Sequence, residues 1–475
     1  MALKYQFKTK PYSHQLKALG RIRDLNGVCA LLMEMGTGKT KVAIDWCGVG
    51  FRNFEFQRVL VVCPLSVVSV WFEQLERHCA VPYKAYNLTG KVKERIQIVK
   101  ELEADPSRLT FLVINYEGIW RTQGKDSMEV LLQEWKPDVS IFDESHRIKR
   151  STTRQSKAAW RIGRASRNRL ILTGTPITKN PLDIFGQFRA LHPGIFGENW
   201  YRFKNHFAIW GGFQRFQVMQ YIHLDELTKG VRENSYRVKK AQCLDLPEKV
   251  YVTVPVVLPD SIRAQYKELA KEAILELENS TVTAPIVLVK LLRLSQLTSG
   301  FLKDTEGHEH IVHDKKLNTC IDLMEDMLEE DHKIVVFARF LRDINRVSLG
   351  CTAHGWPHAI LSGSVPQADR DSLLKRFHSD PEQRILIAQI QTGSLGIDLT
   401  PADVAIFYSL SYDAAHYWQA QDRLHRIGQD KKVTYYHLIA ERTIDSTVLK
   451  VLQRKEDLAK IILENKKLIF GMEAQ

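Results

Sequence analysis

The sequence predicts an α/β protein built from two parallel-sheet lobes in tandem, with helical protrusions between them and a closing helix at the C-terminal end. Three observations carry this reading. Short β-branched runs bounded by turn residues or charges recur at RVLVVCPL (58–65), FLVINYE (111–117), VSIFDE (139–144) and RLILTGT (169–175). After a long gap they resume at KIVVFAR (333–339), RILIAQI (384–390), VAIFYSL (404–410) and VTYYHLI (433–439). Their continuous apolarity, with helical segments between, is the pattern of strands covered on both faces, and two separated sets imply two lobes.

The first lobe is expected over 1–194 and the second over 315–442. The stretch 195–314 should supply protrusions and a linker that completes part of the first lobe. Within it, SIRAQYKELAKEAILELENS (261–280) and IVLVKLLRLSQLTSG (286–300) have helical periodicity. NWYRFKNHFAIWGGFQRFQVMQY (199–221) sets eight aromatics among basic residues, either a satellite core or a base-stacking platform. The tail 443–475 begins with a helix that places Ile444, Val448, Val451 and Leu452 on one face, suited to docking on the second sheet.

With 475 residues, 44% of them hydrophobic, the chain can bury a large core. It contains no low-complexity tract and no apolar run long enough for a bilayer, and MALKYQFKTK lacks the pattern of a secretory signal. Its seven cysteines are scattered without any CxxC, which argues for reduced thiols over a disulfide framework or a zinc site. Membrane-embedded and secreted classes are thereby set aside, and a cytoplasmic protein is expected. The net charge of +12 favours a polyanionic partner, nucleic acid first. Nine Lys or Arg and no acid fall between Arg147 and Arg169, and Arg154, Lys157, Arg161 and Arg164 share one helix face. That stripe is either a solvated surface or a phosphate-tracking one.

Chemistry concentrates where ligands of parallel sheets bind, beyond the carboxyl ends of the strands. GVCALLMEMGTGKT (27–40) is an apolar run flowing into a glycine loop that ends in Lys and Thr. A phosphate-binding loop needs small residues so that backbone N–H groups converge on phosphate oxygens, a lysine for the β/γ charges and a hydroxyl for Mg²⁺. Met35, Gly36, Thr37, Gly38, Lys39 and Thr40 supply these, although Met33 stands where the general pattern has its first glycine. In SIFDESHRIKR (140–150), Asp143 ends a strand as a metal-anchoring carboxylate must, and Glu144 follows as the group to polarise water. RLILTGTPITKN ends the next strand in small hydroxyl residues, which are either a relay from the nucleotide pocket or a tight turn.

The second half has no such loop. It has TGSLGIDLT (392–400) after a strand, and QAQDRLHRIGQ (419–429), which read as a helix stacks Gln419, Arg423 and Arg426 on one face with Gly428 at its end. Two guanidiniums held together call for a shared anion. The γ-phosphate of ATP held by the first lobe is that anion if the lobes close, and hydrolysis becomes conditional on closure.

The ordered set MEMGTGKT, CPLSVVSVWFEQ, INYEG, DESHRIK, LTGTPITKN, LPEK, VVFARF, TGSLGIDLT and QAQDRLHRIGQ spans almost the whole chain. It resembles the Snf-type (switch/sucrose non-fermenting) DNA-dependent ATPases of helicase superfamily two, and is similar to their small bacterial, viral and annealing-type members. The resemblance implies two RecA-like lobes, ATP and Mg²⁺ as ligands, and double-stranded DNA as the partner of a monomer. It implies adenine recognition by Gln15, phosphate binding by Lys39, Mg²⁺ at Thr40 and Asp143, water activation by Glu144 and arginine fingers at Arg423 and Arg426. Gly396, Asp398 and Gln419 join the implied nucleotide set. Ser66, Trp71, Asn115, Tyr116, Arg339, Thr392 and Gly393 fall in segments that line the DNA groove of the family. The sequence departs from the family at Tyr412-Asp413-Ala414, where Trp-Asn-Pro is frequent, and at His14, where Tyr is frequent. The expected activity is ATP-driven translocation on duplex DNA. A strand-separating or branch-migrating helicase on forked DNA or RNA is the alternative, and a scaffold that no longer hydrolyses ATP is a third.

Overall fold

The computed structural model describes residues 5–103, 105–177, 180–211, 217–243, 247–279, 284–304, 306–391 and 397–454, with 458, 461–462, 465 and 468 beyond them. The chain divides into two compact units, Met1–Asp245 and Leu246–Gln475.

The first unit is organised on a seven-stranded sheet. Its strands are β1 (Val28–Met33), β2 (Arg58–Cys63), β3 (Tyr83–Asn87), β4 (Leu109–Asn115), β5 (Val139–Asp143), β6 (Asn168–Leu172) and β7 (Ser235–Val238). They lie in the order β7-β1-β6-β5-β2-β4-β3, every pair parallel. The pleat sends Leu60 and Val62 of β2 into one core and Val59, Val61 and Cys63 into the other, so both faces are covered. That double burial is why these strands read as unbroken apolar runs.

The second unit carries β8 (Lys249–Val256), β9 (Ile334–Ala338), β10 (His358–Leu361), β11 (Ile385–Gln389), β12 (Val404–Phe407) and β13 (Val433–Ala440). This sheet has six strands in the order β8-β13-β12-β9-β11-β10, again all parallel. Two tandem parallel-sheet lobes of RecA-like type result.

The stretch 195–314 differs from its expected, mainly helical character. Helices do occupy Asp260–Asn279 and Ala284–Ser299, but β7 and β8 lie on either side of the boundary between the units, each joining a different sheet. The division between the units falls at 245/246, within the stretch read as protrusions and linker. Edge position explains why these strands do not read as apolar runs. β8 alternates exposed and covered residues along most of its length and tolerates Pro255, as edge strands do. Most of the described aromatics of 199–221 pack as an extension of one core of the first sheet, while Phe213 and Phe216 lie outside the described residues. Phe203 packs on Phe185 and Phe207 at centroid distances of 4.7 and 4.8 Å, and Trp200 and Phe196 join them. An antiparallel hairpin, Ala208–Gly211 with Gln217–Tyr221, follows this cluster.

Of the basic stripe, Arg161 pairs with Glu129 and Arg164 lies 3.5 Å from Glu198, so acids neutralise half of it. The tail helix Ile444–Arg454 buries Ile444, Val448, Val451 and Leu452 in the core of the second sheet. All seven cysteines are free thiols. Among the described residues, no helix is long and apolar enough to cross a membrane.

Buried charge locks the second lobe. Lys316 Nζ donates to Asp445 Oδ2 at 2.6 Å, and Thr298 donates to the other carboxylate oxygen, tying three helices at one point. Nearby, Ser409 Oγ donates to Asp343 Oδ2 at 2.6 Å and accepts from the Arg339 N–H. Burial pushes Asp343 up to about 7, against the Ser409 bond and the charges of Lys316 and Arg346. A carboxyl raised on folding binds its proton more tightly in the native state. Its stabilising contribution is therefore complete below its ordinary value of 3.8 and lost as pH rises through about 7. Asp343→Asn should remove this downward trend, so the melting temperature of the variant relative to the parent should climb between pH 5 and pH 8. A constant difference across that range, followed by circular dichroism, would contradict the assignment.

Candidate active site

The sheet order builds the site. Because β6 lies between β1 and β5, the glycine loop after β1, the Thr173–Pro176 turn after β6 and Asp143 at the end of β5 stand side by side at one carboxyl edge. Gly36 and Gly38 both adopt the left-handed region, φ 79° and 86°, which L side chains resist. Gly38 also has no room for a side chain, since a Cβ there would lie 2.3 Å from Gln15 Nε2. The loop then feeds the helix Lys39–Arg52, whose N-terminal N–H groups are suited to an anion.

Lys39 is buried, and its ammonium donates to the carbonyls of Met33 at 2.9 Å and Glu34 at 3.4 Å. Thr40 occupies the first turn of the helix. Thr37 Oγ1 donates back to Glu34 O, and the Thr37 carbonyl accepts from Gln15 Nε2 at 3.2 Å. His14 Nε2 stands 2.8 Å from the same carbonyl and must carry its proton there, because a carbonyl only accepts. Gln15 Oε1 accepts from the Tyr12 N–H. The Gln15 amide thus ties the start of its own helix to the glycine loop, a role the sequence did not reveal beside the expected adenine contact. Met35 lies against the neighbouring turn, its N–H 3.3 Å from where a Cβ on Gly174 would stand.

Asp143 is held from several sides. Trp71 Nε1 donates to its Oδ2 at 2.9 Å, the Glu144 N–H donates to its Oδ1 at 2.9 Å, and Tyr116 donates its hydroxyl to the Asp143 carbonyl at 2.8 Å. Trp71 and Tyr116 are 0% and 1% exposed. Both lie in segments expected to line the DNA groove and both are buried, Trp71 holding the carboxylate of Asp143 and Tyr116 its backbone carbonyl. The apolar character of each ring, which fills the core, had hidden the polar tip that does this. Burial, then the adjoining Glu144 carboxylate, pushes Asp143 up to about 6, while the Lys39 charge and the Trp71 bond pull it down. Glu144 takes the left-handed conformation, φ 50° and ψ 51°, and its Oε2 lies 3.3 Å from His146 Nδ1. Of the other groove candidates in this lobe, Ser66 is half-buried in a short turn ahead of the helix Val68–His78. Asn115 donates to Glu117 and leaves its buried Oδ1 without a partner among the described residues.

In the second lobe the arginine segment departs from one continuous helix. The helix Ala414–Leu424, capped by the Asp413 carboxylate, carries Gln419 and Arg423 but stops before Arg426. Arg426 sits in the following turn, where Gly428 takes φ 98°. Gln429 closes that turn by donating to the carbonyls of Thr400 and Ala402 at 3.0 Å and of Leu424 at 3.2 Å. His425 Nε2 bonds the Pro247 carbonyl at 2.7 Å. The first and last residues of HRIGQ are therefore braces. Arg423 is buried, and its carbonyl accepts from the Leu399 N–H. Arg426 Nε is buried without a hydrogen-bond partner among the described residues. Asp398 caps its own turn, accepting from the Thr400 N–H and hydroxyl. Arg339 lies 3.7 Å over the Tyr412 ring, and the Tyr412 hydroxyl donates to the Leu291 carbonyl at 2.6 Å. Thr392, Gly393 and Gly396 lie outside the described residues.

A glycine loop beside a strand-end carboxylate pair, followed in the chain by a second parallel-sheet lobe bearing an arginine turn, defines the helicase-type P-loop ATPases. The chain belongs to the SNF2-related family, matching the SNF2-related domain over residues 14–301. A helicase conserved C-terminal domain follows over 315–428. The DNA annealing helicase and endonuclease ZRANB3 of Mus musculus is 29% identical over 450 residues, 93% of this chain and 40% of that protein. An uncharacterized ATP-dependent helicase, MG018 of Mycoplasma genitalium, is 26% identical over 90% of this chain and 39% of its own length. The chain thus spans about two fifths of such relatives. The SWI2/SNF2 ATPase core of Sulfolobus solfataricus in complex with dsDNA covers 100% of the chain at 24% identity and a TM-score of 0.45.

Trp71→Phe keeps the buried ring and deletes one bond to a carboxylate, an interaction of about 1.5–3 kcal/mol. Steady-state ATP hydrolysis should fall roughly tenfold or more, with the melting temperature lowered by about 10 °C or less. Full activity in the phenylalanine variant would show that Asp143 needs no such brace.

Proposed function

We propose that the protein is a DNA-dependent ATPase that moves along double-stranded DNA without processive strand separation. The observation that carries this reading is the phosphate loop with Asp143 and Glu144 in the first lobe; the second lobe, taken by itself, holds Arg426, whose buried Nε has no partner among the described residues. An unpaired buried guanidinium donor is costly and invites an anion.

ATP is the substrate in this reading. Lys39 and the N–H groups of Gly36 to Thr40 hold its phosphates, and Glu144 accepts a proton from the attacking water. Thr40 and Asp143 are the residues that would hold Mg²⁺. The fit is chemical: each Asp143 oxygen accepts one bond from the protein and keeps a lone pair free. The ion would supply charge neutralisation on the phosphates. Arg426, with Arg423, stabilises charge on the transferring phosphoryl group, an effect worth about 10³–10⁵ in rate. Sequence-independent contacts to phosphates give the grip on DNA. Ser66, Asn115 and Arg339 remain the groove residues consistent with their positions.

The hairpin 208–221 favours a second reading, branch migration or strand separation on forked DNA, in keeping with a relative named as an annealing helicase. Displacement of a third strand from a triplex reports duplex tracking, whereas displacement from a fork reports unwinding, and the two assays separate the readings.

Lys39→Ala should abolish ATP hydrolysis. Arg426→Ala should lower turnover by about 10³-fold or more while nucleotide and DNA affinities change little. An Arg426→Ala protein with normal turnover would remove the arginine from the mechanism. Duplex binding should weaken steeply between low and physiological salt, measured by fluorescence anisotropy.

A further inference from the structure

The segment that follows the carboxylate pair is keyed to one short helix by four independent contacts. That helix, Ile184–Leu191, is buried along its whole length. Lys149 Nζ lies 3.8 Å from Asp183 Oδ2 at the start of the helix. Gly186 approaches so closely that a Cβ would stand 2.1 Å from the Ile148 carbonyl and 2.7 Å from that of Lys149. Arg189 Nη2 donates to the Ser151 carbonyl at 2.8 Å. Between these lies Gln187, fully buried and fully engaged. Its Oε1 accepts from Ser145 Oγ at 2.8 Å, and its Nε2 donates to the Pro176 carbonyl at 2.6 Å and the Asp183 carbonyl at 2.8 Å.

Gln187 is thus one amide joining two strand ends. Ser145 adjoins Glu144, whose left-handed backbone makes the direction of its carboxylate depend on how residues 144–145 are held. Pro176 closes the Thr173–Pro176 turn, which touches the glycine loop through Gly174 and leads to Ile177 at the surface. On the other side, the same helix grips the segment that presents Arg147 and Arg150, both exposed.

We infer that Gln187 is a positioning residue that binds the water-activating Glu144 to the Thr173–Pro176 turn, so that turnover responds to nucleic acid held at the adjoining basic surface. This deepens the ATPase reading and rests on it. The amide suits the task because it accepts from a hydroxyl at one end and donates to carbonyls at the other. Glutamate and methionine, of similar length, each lose part of that pattern. Buried networks of this kind act as units, and single deletions are then non-additive.

The test compares parent, Gln187→Met, Ser145→Ala and the double variant for ATP hydrolysis with and without duplex DNA, in the full chain. The relay requires a fall of at least tenfold in the ratio of DNA-stimulated to unstimulated kcat in each single variant, with KM for ATP within about threefold. The double variant should be no worse than the weaker single one. Stimulation retained within twofold in both singles, losses that multiply in the double, or a defect confined to KM would each overturn it. Should Gln187→Met fail to fold, Ser145→Ala decides alone, since it deletes a single hydroxyl. If the parent itself shows no stimulation, the DNA-dependent reading fails, and the relay is then judged by the same non-additivity in unstimulated kcat.

Discussion

A carboxylate that must stay charged inside a protein is the constraint from which the first lobe follows. Asp143 is buried beside another acid, and both facts favour its neutral form. Its charge is retained by the Trp71 indole, the Glu144 N–H and the nearby ammonium of Lys39. None of these can be supplied by a surface residue, so the helix Val68–His78 and the glycine loop must pack at the same sheet edge. The parallel order β1-β6-β5-β2 brings them there. The fold is arranged to place three strand ends in a row, with aromatic side chains serving as filling and as donors together.

The second lobe solves a different problem, presenting a buried guanidinium Nε that no described residue satisfies. A flexible arginine would relax onto the closest carbonyl. Here the backbone around Arg426 is fixed by the three bonds of Gln429, the left-handed Gly428 and the His425 bond to Pro247. Among the described residues, Nε has no partner. The residues that surround the arginines in QAQDRLHRIGQ are accordingly explained by geometry, with no ligand contact needed for His425 or Gln429.

Legibility in the sequence follows burial and chain distance. Strands covered on both faces announced themselves, as did loops whose glycines need φ above zero, because each imposes a local composition. The edge strands β3, β7, β8 and β10 did not, since half of an edge strand is free to be polar. Lys39, Asp143 and Glu144 were readable because chemistry fixes both type and place. The bonds of Trp71 and Tyr116 to Asp143 are not legible, because an aromatic in a motif is silent about where its polar atom points. Arg426 was placed on a helix by spacing alone, and only the cap at His425 reveals that the helix has already ended. Gln187 lies outside every motif, and no local pattern marks a residue whose partners are 11 and 42 positions away.

The chemistry assigned to each lobe also explains why neither half-site is complete by itself in the proposed reading. A P-loop with a carboxylate pair binds and orients a triphosphate, yet gathers negative charge around the very group whose transfer builds more. Relief must come from a cation that is absent while the substrate is merely bound, or binding and hydrolysis would not be separable. An arginine kept unsatisfied on a second body meets that requirement, because its cost of burial is recovered only when the phosphate arrives. A motor needs this separation: a step tied to binding and a reset tied to product release are distinct only if the charge-stabilising group can be withdrawn. In that reading the buried donor of Arg426 would set when hydrolysis is permitted, and the keyed segment 145–151 how Glu144 is aimed.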